Sequence, residues 1–424
     1  MLDIKAIREN TAEIERRLQT RDPNVSLQEV LGLDEQRRNI IAEVEQLKAK
    51  RNDVSGNVGT LKREGKHEEA EALIQEMGAV ADQIKELDNQ QRDVEEKLNG
   101  ILSILPNIPD ESVPVSDKKE DYKIIREHGE KPTFDFEVEH HLDFCEKMDM
   151  LDFPRGAAIA GSRFPLYKGW GARLEMGLIQ FFWNFHADRG YTHIFPPYLG
   201  TAESMYVASQ LPKFKDDVYY IEKDDLYLNP TSETVICNLH REEILEADQL
   251  PIKYAGFTTC FRREAGAAGE EERGLIRMHQ FNKVELFKFT TAETSFDELE
   301  NLVVDAEAVL NALGLHHRLV LLPTCDMAGQ SVKTYDIEMW IPSQNRYYEV
   351  SSCSNCTDYQ ARRGNIRYRP EPKAKPEFVH TLNGSGLATS RVFAAIVETY
   401  QQPDGSIHLP EPLQPYVGTD VIRP

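Results

Sequence analysis

The sequence contains little sulfur and no long apolar run. Only six cysteines occur in 424 residues, and they are scattered, at positions 145, 237, 260, 325, 353 and 356. No apolar run is long enough to span a bilayer. The beginning, MLDIKAIREN, carries charged side chains from its third residue and lacks the apolar core of a secretory signal. We therefore expect a reduced, cytoplasmic protein with no membrane partner.

Positive charge is also in short supply. The chain has 49 Lys and Arg against 71 Asp and Glu, which gives a formal net charge of −22. Such a balance argues against indiscriminate binding to nucleic acid. It does not exclude a local basic patch, because salt screens distant charges from any one contact. The length favours two domains.

The first hundred residues carry apolar heptads. Apolar side chains recur every seventh position at Leu33, Ile40, Leu47, Val54 and Leu61, and again at Leu73, Val80, Leu87, Val94 and Ile101. This period predicts two long helices that bury a shared narrow seam. Gly65 separates the two series, so we expect an antiparallel hairpin. Each helix would be about 50 Å long at 1.5 Å per residue.

The predicted tip of this hairpin is locally basic. Between residues 48 and 66 the only acids are Asp53 and Glu64, whereas the bases are Lys48, Lys50, Arg51, Lys62, Arg63 and Lys66. A solvated coiled-coil surface and a phosphate-binding arm both account for this composition, which does not decide between them.

Prolines at positions 106, 109 and 114 then interrupt the helical pattern, and we place a domain boundary near residue 110. Domains of residues 1–110 and 111–424 result. The second part alternates strand-like segments linked as hairpins with helical segments, which predicts an α+β fold with a mainly antiparallel sheet. The stretch Asn383-Gly-Ser-Gly386 is interpreted as a glycine-rich turn before a helix over 392–400.

The densest group of reactive side chains lies on a predicted strand–loop–strand hairpin. Alternation along the strands puts Arg262 and Glu264 on one face. It likewise groups, on the returning strand, Arg277, His279, Phe281 and Glu285. Arginine suits phosphate because its planar fork is always charged, and an aromatic ring can stack on a base. An isolated hairpin of this kind is also typical of a surface salt-bridge ladder.

Together, several motifs resolve this ambiguity by resemblance. Phe261-Arg-Arg-Glu264 with the segment 277–281 resembles motif 2 of class II aminoacyl-tRNA synthetases, and the segment 383–388 with Arg391 resembles motif 3. The helix before Gly190, followed by two prolines at 196 and 197, resembles motif 1. The N-terminal heptads, Thr231-Ser-Glu233 and Glu349-Val-Ser-Ser352 are similar to those of bacterial seryl-tRNA synthetases. The resemblance covers essentially the whole chain.

This resemblance implies a fold and an activity. The fold would be a class II catalytic domain, an antiparallel sheet flanked by helices, with a long N-terminal coiled-coil hairpin. The enzyme would be a serine–tRNA ligase, which activates L-serine with ATP and transfers it to the 3′ end of tRNA(Ser), and of tRNA(Sec) where that tRNA is present. A homodimer through motif 1 is implied. The hairpin would grip the long variable arm of tRNA docked at the other subunit, through the six basic residues of its tip.

The resemblance also implies roles for single residues. Arg262, Arg391 and Glu349 would be catalytic, and Glu349 and Ser352 would hold Mg²⁺, which prefers oxygen ligands. The serine site would comprise Thr231, Ser232, Glu233, Arg262, Glu285, Asn383 and Ser385. The ATP site would comprise Arg262, Arg263, Glu264, Arg277, Phe281, Glu349, Val350, Ser351, Ser352 and Arg391, with Phe281 and Arg391 on opposite faces of the adenine.

Two other hypotheses fit parts of the sequence. A synthetase for threonine or proline shares the class motifs, but the threonine enzyme would hold zinc through a cysteine and two histidines and would lack the hairpin. A non-catalytic RNA-binding relative would keep the arm without the arginines of the site. Cys353 and Cys356 form a Cys-x-x-Cys pair, yet no second pair follows at ligand spacing, so we expect no structural zinc.

Overall fold

A computed structural model describes residues 1–265 and 274–424. The chain divides into two compact units, Leu2–Leu105 and Pro106–Pro424, and Met1 belongs to the second. No helix in the described part of the chain is both long and apolar enough to cross a membrane.

The first unit is helical. Its helices are α1 (Ile4–Glu9), α2 (Thr11–Gln19), α3 (Gln28–Arg63) and α4 (His67–Ile104). Helix α3 has 36 residues and α4 has 38, which confirms the two long helices that the heptads predict. Their shared seam buries Ile40, Val44, Val80, Ile84, Leu87 and Val94. Gly65 takes a φ of 78° at the turn, a left-handed conformation that glycine adopts without steric cost.

The second unit is an α+β structure. The helices described in it are α5 (His141–Lys147), α6 (Phe153–Ala160), α7 (Trp170–Phe185), α8 (Ala202–Val207), α9 (Glu233–Ile236), α10 (Ser295–Ala312), α11 (Tyr359–Gly364), α12 (Thr389–Thr399) and α13 (Gln414–Val417). The strands described are β1 (Lys123–His128), β2 (Thr192–Ile194), β3 (Leu199–Thr201), β4 (Tyr220–Ile221), β5 (Leu226–Leu228), β6 (Ile244–Glu246), β7 (Ile252–Phe261), β8 (Gln280–Thr290), β9 (His317–Leu321), β10 (Lys333–Ile341), β11 (Arg346–Thr357), β12 (Arg367–Arg369), β13 (Glu377–Phe378), β14 (His380–Ala388), β15 (Ile407–His408) and β16 (Val421–Ile422).

A central sheet of eight strands organises this unit. Its order is β1-β9-β10-β11-β14-β8-β7-β2. Neighbouring strands run antiparallel except β2 and β7, which run parallel. The predicted, mainly antiparallel sheet is therefore confirmed. Helices α7, α10 and α12 supply buried apolar side chains to the same core as the sheet, among them Phe182, Leu302 and Phe393.

The glycine-rich stretch Asn383–Gly386 is not the turn that the sequence suggests. It lies inside β14, paired with β8 on one side and β11 on the other. A Cβ at Gly384 would lie 2.8 Å from the Cys353 sulfur, and a Cβ at Gly386 would lie 2.7 Å from Cγ of Leu286. The glycines therefore let neighbouring side chains approach the strand closely, a use of glycine that local sequence does not distinguish from a turn.

Candidate active site

Two adjoining cavities lie over the strands β8, β11 and β14. The larger has a volume of about 360 Å³ and the smaller about 230 Å³. They are continuous because they share five lining residues, Arg262, Glu264, Lys283, Glu349 and Ser385. The lining of both is rich in ionisable groups, so the combined cleft suits a charged ligand.

Carboxylates and hydroxyls dominate the larger cavity. Glu233, the first residue of α9, is buried, and its Oε1 accepts hydrogen bonds from Gln360 Nε2 at 2.6 Å, Gln330 Nε2 at 3.3 Å and Asn383 Nδ2 at 3.1 Å. Burial, reinforced by the nearby charge of Glu285, raises the pKa of Glu233 to about 7. At neutral pH this carboxyl is therefore balanced between its two protonation states.

A buried network joins the floor of this cavity. The Lys283 ammonium forms an ion pair with Glu285 and donates a hydrogen bond to Thr231 Oγ1 at 2.7 Å. The Thr231 hydroxyl in turn donates to Glu285 Oε2 at 3.2 Å. The motifs did not indicate Lys283, although it alternates along β8 with Phe281 and Glu285 and the period of two places it on their face.

Arginines dominate the smaller cavity. Arg277 Nη1 lies 3.0 Å from Glu264 Oε2. Arg391, near the beginning of α12, donates from Nε to the Ile276 carbonyl at 3.2 Å, and its Nη1 contacts the Glu349 carbonyl. The fork of Arg391 carries five N–H donors, so these hydrogen bonds leave it further donors for an anionic ligand.

Arg262 belongs to both cavities. Its Nε donates to the Pro230 carbonyl at 3.1 Å, and its guanidinium lies 5.1 Å from the centroid of the Phe281 ring. The backbone hydrogen bond and the ring fix the side chain between the carboxylate end and the arginine end of the cleft. The position suits a group that contacts both parts of a ligand.

A β-bulge sets the geometry of the predicted magnesium ligands. Glu338 pairs with Glu349 and Ile337 pairs with Ser351, so Val350 is an extra residue in β11. In a regular strand Glu349 and Ser352, three positions apart, would point to opposite faces. With the bulge, both line the larger cavity.

Asp336 lies beneath these two oxygens, directly opposite Ser352 in the ladder. Burial of its carboxyl together with the Glu349 charge raises its pKa well above the usual carboxyl range. Its Oδ1 has no hydrogen-bond partner among the described residues. A buried carboxylate oxygen without a partner is costly, so this corner of the cleft favours a cation.

Most of the predicted site residues line the cleft. They are Thr231, Glu233, Arg262, Glu264, Arg277, Phe281, Glu285, Glu349, Val350, Ser352, Asn383, Ser385 and Arg391. The structure does not bring the other three into either lining. Ser232 Oγ lies 2.6 Å from Thr258 Oγ1, Arg263 Nε donates to the Val218 carbonyl, and Ser351 Oγ donates to the Ser385 carbonyl.

The two neighbouring cysteines lie behind the cleft. Both are buried, and burial raises the pKa of Cys353 to about 12 and also raises that of Cys356. The thiolate, which is the form that binds metals and attacks disulfides, is therefore disfavoured at both positions. Cys356 instead accepts a weak hydrogen bond from Asn383 Nδ2 at 3.5 Å, which helps to orient that lining residue.

The six bases of the predicted tip are exposed, but the tip is not uniformly basic. Helix α4 begins with acids beside it, so Lys50 pairs with Glu76 at 2.7 Å. Between residues 48 and 76 the six bases are matched by six acids: Asp53, Glu64, Glu68, Glu69, Glu71 and Glu76. The positive charge is concentrated on the end of α3 and the turn, whereas α4 carries most of the negative charge.

Comparisons with known proteins agree with this architecture. Residues 1–109 match the family described as "Seryl-tRNA synthetase N-terminal domain" and residues 214–400 match "tRNA synthetase class II core domain (G, H, P, S and T)". The chain is 51% identical over 423 residues to the serine–tRNA ligase of Carboxydothermus hydrogenoformans, covering 100% of this chain and 99% of that protein. It is 53% identical over 422 residues to the serine–tRNA ligase of Heliobacterium modesticaldum, covering 100% of both.

A solved structure agrees as well. The seryl-tRNA synthetase from Pyrococcus horikoshii complexed with ATP superimposes with a TM-score of 0.93, at 35% identity and with 100% of both chains covered. These matches extend over the hairpin as well as the catalytic core, and the hairpin is the part that the threonine and proline alternatives lack. The chain belongs to the seryl-tRNA synthetase family of class II aminoacyl-tRNA synthetases.

Proposed function

We propose that this chain is a serine–tRNA ligase. It activates L-serine with ATP to seryl-adenylate and pyrophosphate and transfers serine to the 3′ end of tRNA(Ser), and to tRNA(Sec) where that tRNA is present. Residues 1–110 serve as the tRNA-binding domain and residues 111–424 as the catalytic domain. The observation that carries the proposal is one cleft with a carboxylate end and an arginine end, bridged by Arg262.

Serine occupies the carboxylate end. Its ammonium group is attracted by Glu233 and Glu285, and its hydroxyl contacts the polar groups of Thr231, Asn383 and Ser385. A pocket built around a hydroxyl rejects substrates that lack it, because its buried polar groups would be left unpaired. Ser232 and Ser351 support this pocket from behind through their hydrogen bonds to Thr258 and Ser385.

ATP occupies the arginine end. Phe281 stacks on the adenine, and Arg277 and Arg391 neutralise the outer phosphates. Glu264 lines both cavities and contacts the nucleotide beside Arg277 and Arg391. Arg263 donates a hydrogen bond to the Val218 carbonyl. It therefore affects the nucleotide indirectly, by holding the segment around Val218 in place.

The reaction joins the two ends. A serine carboxylate oxygen attacks the α-phosphorus, a new P–O bond forms, and the bond to the departing pyrophosphate breaks. Arg262 neutralises the charge that spreads over the α-phosphate and holds the attacking carboxylate in line. Positioning and fixed positive charge therefore supply most of the acceleration, as in other phosphoryl-transfer sites.

Glu349 and Ser352 are the residues that would hold Mg²⁺. Their oxygens suit a hard cation, and the unpartnered Oδ1 of Asp336 behind them offers a further oxygen at the same place. When bound, the ion neutralises phosphate charge. No sulfur ligand is needed, since the buried thiols of Cys353 and Cys356 stay protonated.

The partners follow from the same assignment. The exposed bases of α3 and the turn contact the tRNA backbone, which requires no base-specific reading. A homodimer forms through the surface of α7 and the segment after β2, where Met176 and Phe195 leave large apolar side chains 53% and 67% exposed. Such exposure is typical of a protein interface. The enzyme acts in the cytoplasm, where its tRNA and ATP are found.

ATP–pyrophosphate exchange without tRNA tests this proposal directly. Exchange should depend on serine and should not be supported by threonine or proline at equal concentration. A protein that binds tRNA(Ser) but gives no exchange with any of the three amino acids would be a non-catalytic RNA-binding relative. Exchange driven by threonine or proline would show that the pocket has been assigned to the wrong substrate.

A further inference from the structure

A His–Glu–His cluster in which two of the three residues are buried lies at the edge of the central sheet. His128 ends the edge strand β1 and pairs directly with His317, the first residue of β9. Their rings stack at 15° with centroids 5.0 Å apart. Glu307 of α10 lies over the same face, and its Oε1 is 3.4 Å from His128 Nε2 and 3.8 Å from His317 Nε2.

The protonation of His317 is fixed by its backbone contact. Its Nδ1 lies 2.8 Å from the Leu315 carbonyl, which only accepts, so Nδ1 carries the hydrogen. In the neutral ring this tautomer leaves a lone pair on Nε2. That lone pair faces the Glu307 carboxylate. Two acceptors thus face each other in a buried place, which is unfavourable unless a cation lies between them.

The remaining contacts pair the carboxylate but not the two imidazole nitrogens that face it. Nε2 of both histidines is buried without a hydrogen-bond partner in the described part of the chain. Arg126 binds the same carboxylate, with its Nε 3.1 Å from Glu307 Oε2 and 3.3 Å from Oε1, and so fixes its orientation beside the imidazoles. The contact of Arg126 with Glu307 resembles the outer hydrogen bonds that orient the ligands of metal sites.

A second cluster in the same protein provides a contrast. His141 Nδ1 lies 2.8 Å from Glu398 Oε1, and its Nε2 accepts from the Leu275 N–H at 3.3 Å. Nearby, His140 Nδ1 accepts from the Leu142 N–H at 3.2 Å. Each of these ring nitrogens has a partner, so this cluster is satisfied without a cation.

We propose that His128, Glu307 and His317 form a structural binding site for a divalent transition metal ion, with Zn²⁺ the best match. Ligands at 2.0–2.1 Å around a tetrahedral ion lie about 3.4 Å from one another, close to the N–O separations here. Two imidazoles and a carboxylate leave one position for water. None of the three residues lines the cleft, so the ion fastens the edge strand β1 to α10 and takes no part in catalysis.

Metal titration of the full-length protein tests this site. The protein is stripped with a chelator, which is then removed, and Zn²⁺ binding is followed by calorimetry. Co²⁺ is used in parallel for the visible absorption of a tetrahedral site. The variant is His128→Gln, because this side chain is 35% exposed and its loss disturbs packing least. We expect one tight site per chain in the parent protein and an affinity at least about tenfold weaker in the variant.

His140→Gln is the matched control, and it should bind Zn²⁺ like the parent. Glu307→Gln is a second test that keeps the shape of the carboxylate, and it should lose the site as well. Zn²⁺ should also raise the melting temperature of the parent and not that of His128→Gln. The proposal is wrong if the parent takes up no Zn²⁺, or if His128→Gln and Glu307→Gln both bind it as the parent does.

Discussion

Arg262 has a position that no other arginine shares. Of the arginines in the described residues, it alone lines both the carboxylate cavity and the arginine cavity. Its contact with the Pro230 carbonyl and its approach to Phe281 orient it before any substrate arrives. A preorganised charge of this kind acts where charge develops and needs no rearrangement during the reaction.

We predict that Arg262→Ala lowers serine-dependent ATP–pyrophosphate exchange by at least about a hundredfold. Its melting temperature should stay close to that of the parent, because the lost side chain makes one backbone hydrogen bond and fills no core. Arg346→Ala is the control, since Arg346 is exposed, begins β11 and lines neither cavity. Near-parental exchange in Arg262→Ala would show that the reacting groups lie elsewhere.

The pKa of Glu233 gives a second prediction. Burial and the Glu285 charge raise it to about 7, so the ionised fraction grows as the pH passes through that value. The ionised form attracts the serine ammonium. The KM for serine should therefore fall about tenfold between about pH 6 and about pH 8, as the ionised fraction rises from about a tenth to nine-tenths.

The control for this pH effect is the other substrate. The KM for ATP should not follow the same curve, because we assign ATP to the other end of the cleft. In Glu233→Gln the KM for serine should be high and should no longer fall with pH. A pH dependence that persists unchanged in this variant would assign the titration to another group.

Residue identities at the site were more predictable than their environments. Thirteen of the sixteen predicted serine and ATP residues line the cleft. The strand alternation that grouped Phe281 with Glu285 also places Lys283 on their face, yet no motif pointed to Lys283. The raised pKa of Asp336 depends on burial by distant segments, and local sequence contains no signal for it.

At the scale of elements, strand alternation works where a strand is regular and fails where it is not. It groups Phe281 and Glu285 correctly on β8. It would separate Glu349 from Ser352, and only the bulge at Val350 brings them together. Bulges and close-approach glycines, such as Gly384 and Gly386 in β14, depend on partners from other strands. The helical hairpin was predictable because its heptads repeat over two long helices.

The hairpin tip gives the third prediction. Lys50 pairs with Glu76 and Glu43 contacts Gln83, so residues 54 and 72 lie near the same level of the hairpin. Replacing residues 54–72 with a short glycine-containing turn shortens both helices and removes Lys62, Arg63 and Lys66. Exchange without tRNA should remain near the parental rate, whereas charging of tRNA should fall at least about tenfold.

A triple variant separates the effect of lost charge on tRNA charging from the effect of lost length. It combines Lys62→Gln, Arg63→Gln and Lys66→Gln. This triple variant keeps both helices and should weaken charging in the same direction as the deletion, at unchanged exchange. If the shortened protein charges tRNA normally, the tip is not the part that contacts it. If exchange is also lost, the deletion has damaged more than the arm.

At the scale of the whole molecule, charge is unevenly arranged. The chain carries −22 overall, and the segment 48–76 is neutral in sum, with six bases against six acids. The zero net charge of this segment conceals a separation of positive from negative charge. The bases lie on α3 and the turn, whereas α4 supplies most of the acids. Under the proposed function, this arrangement would repel RNA over most of the surface and admit it along one helix face, which favours orientation over bulk affinity.

Salt dependence gives the fourth prediction. Binding of tRNA should weaken steeply with salt, since each phosphate contact releases counterions. Lys48→Gln, Lys50→Gln and Arg51→Gln combined should make the log–log salt slope shallower by about 2–3 units, as roughly 0.7–0.9 is lost per phosphate contact. The same substitution of Glu68, Glu69 and Glu71 on α4 is the matched control. It removes three acids from the opposite helix and should leave the slope as steep as in the parent protein, with binding equal or tighter. Equal slopes in all three proteins would mean that the charge separation between the helices does not guide tRNA to this enzyme.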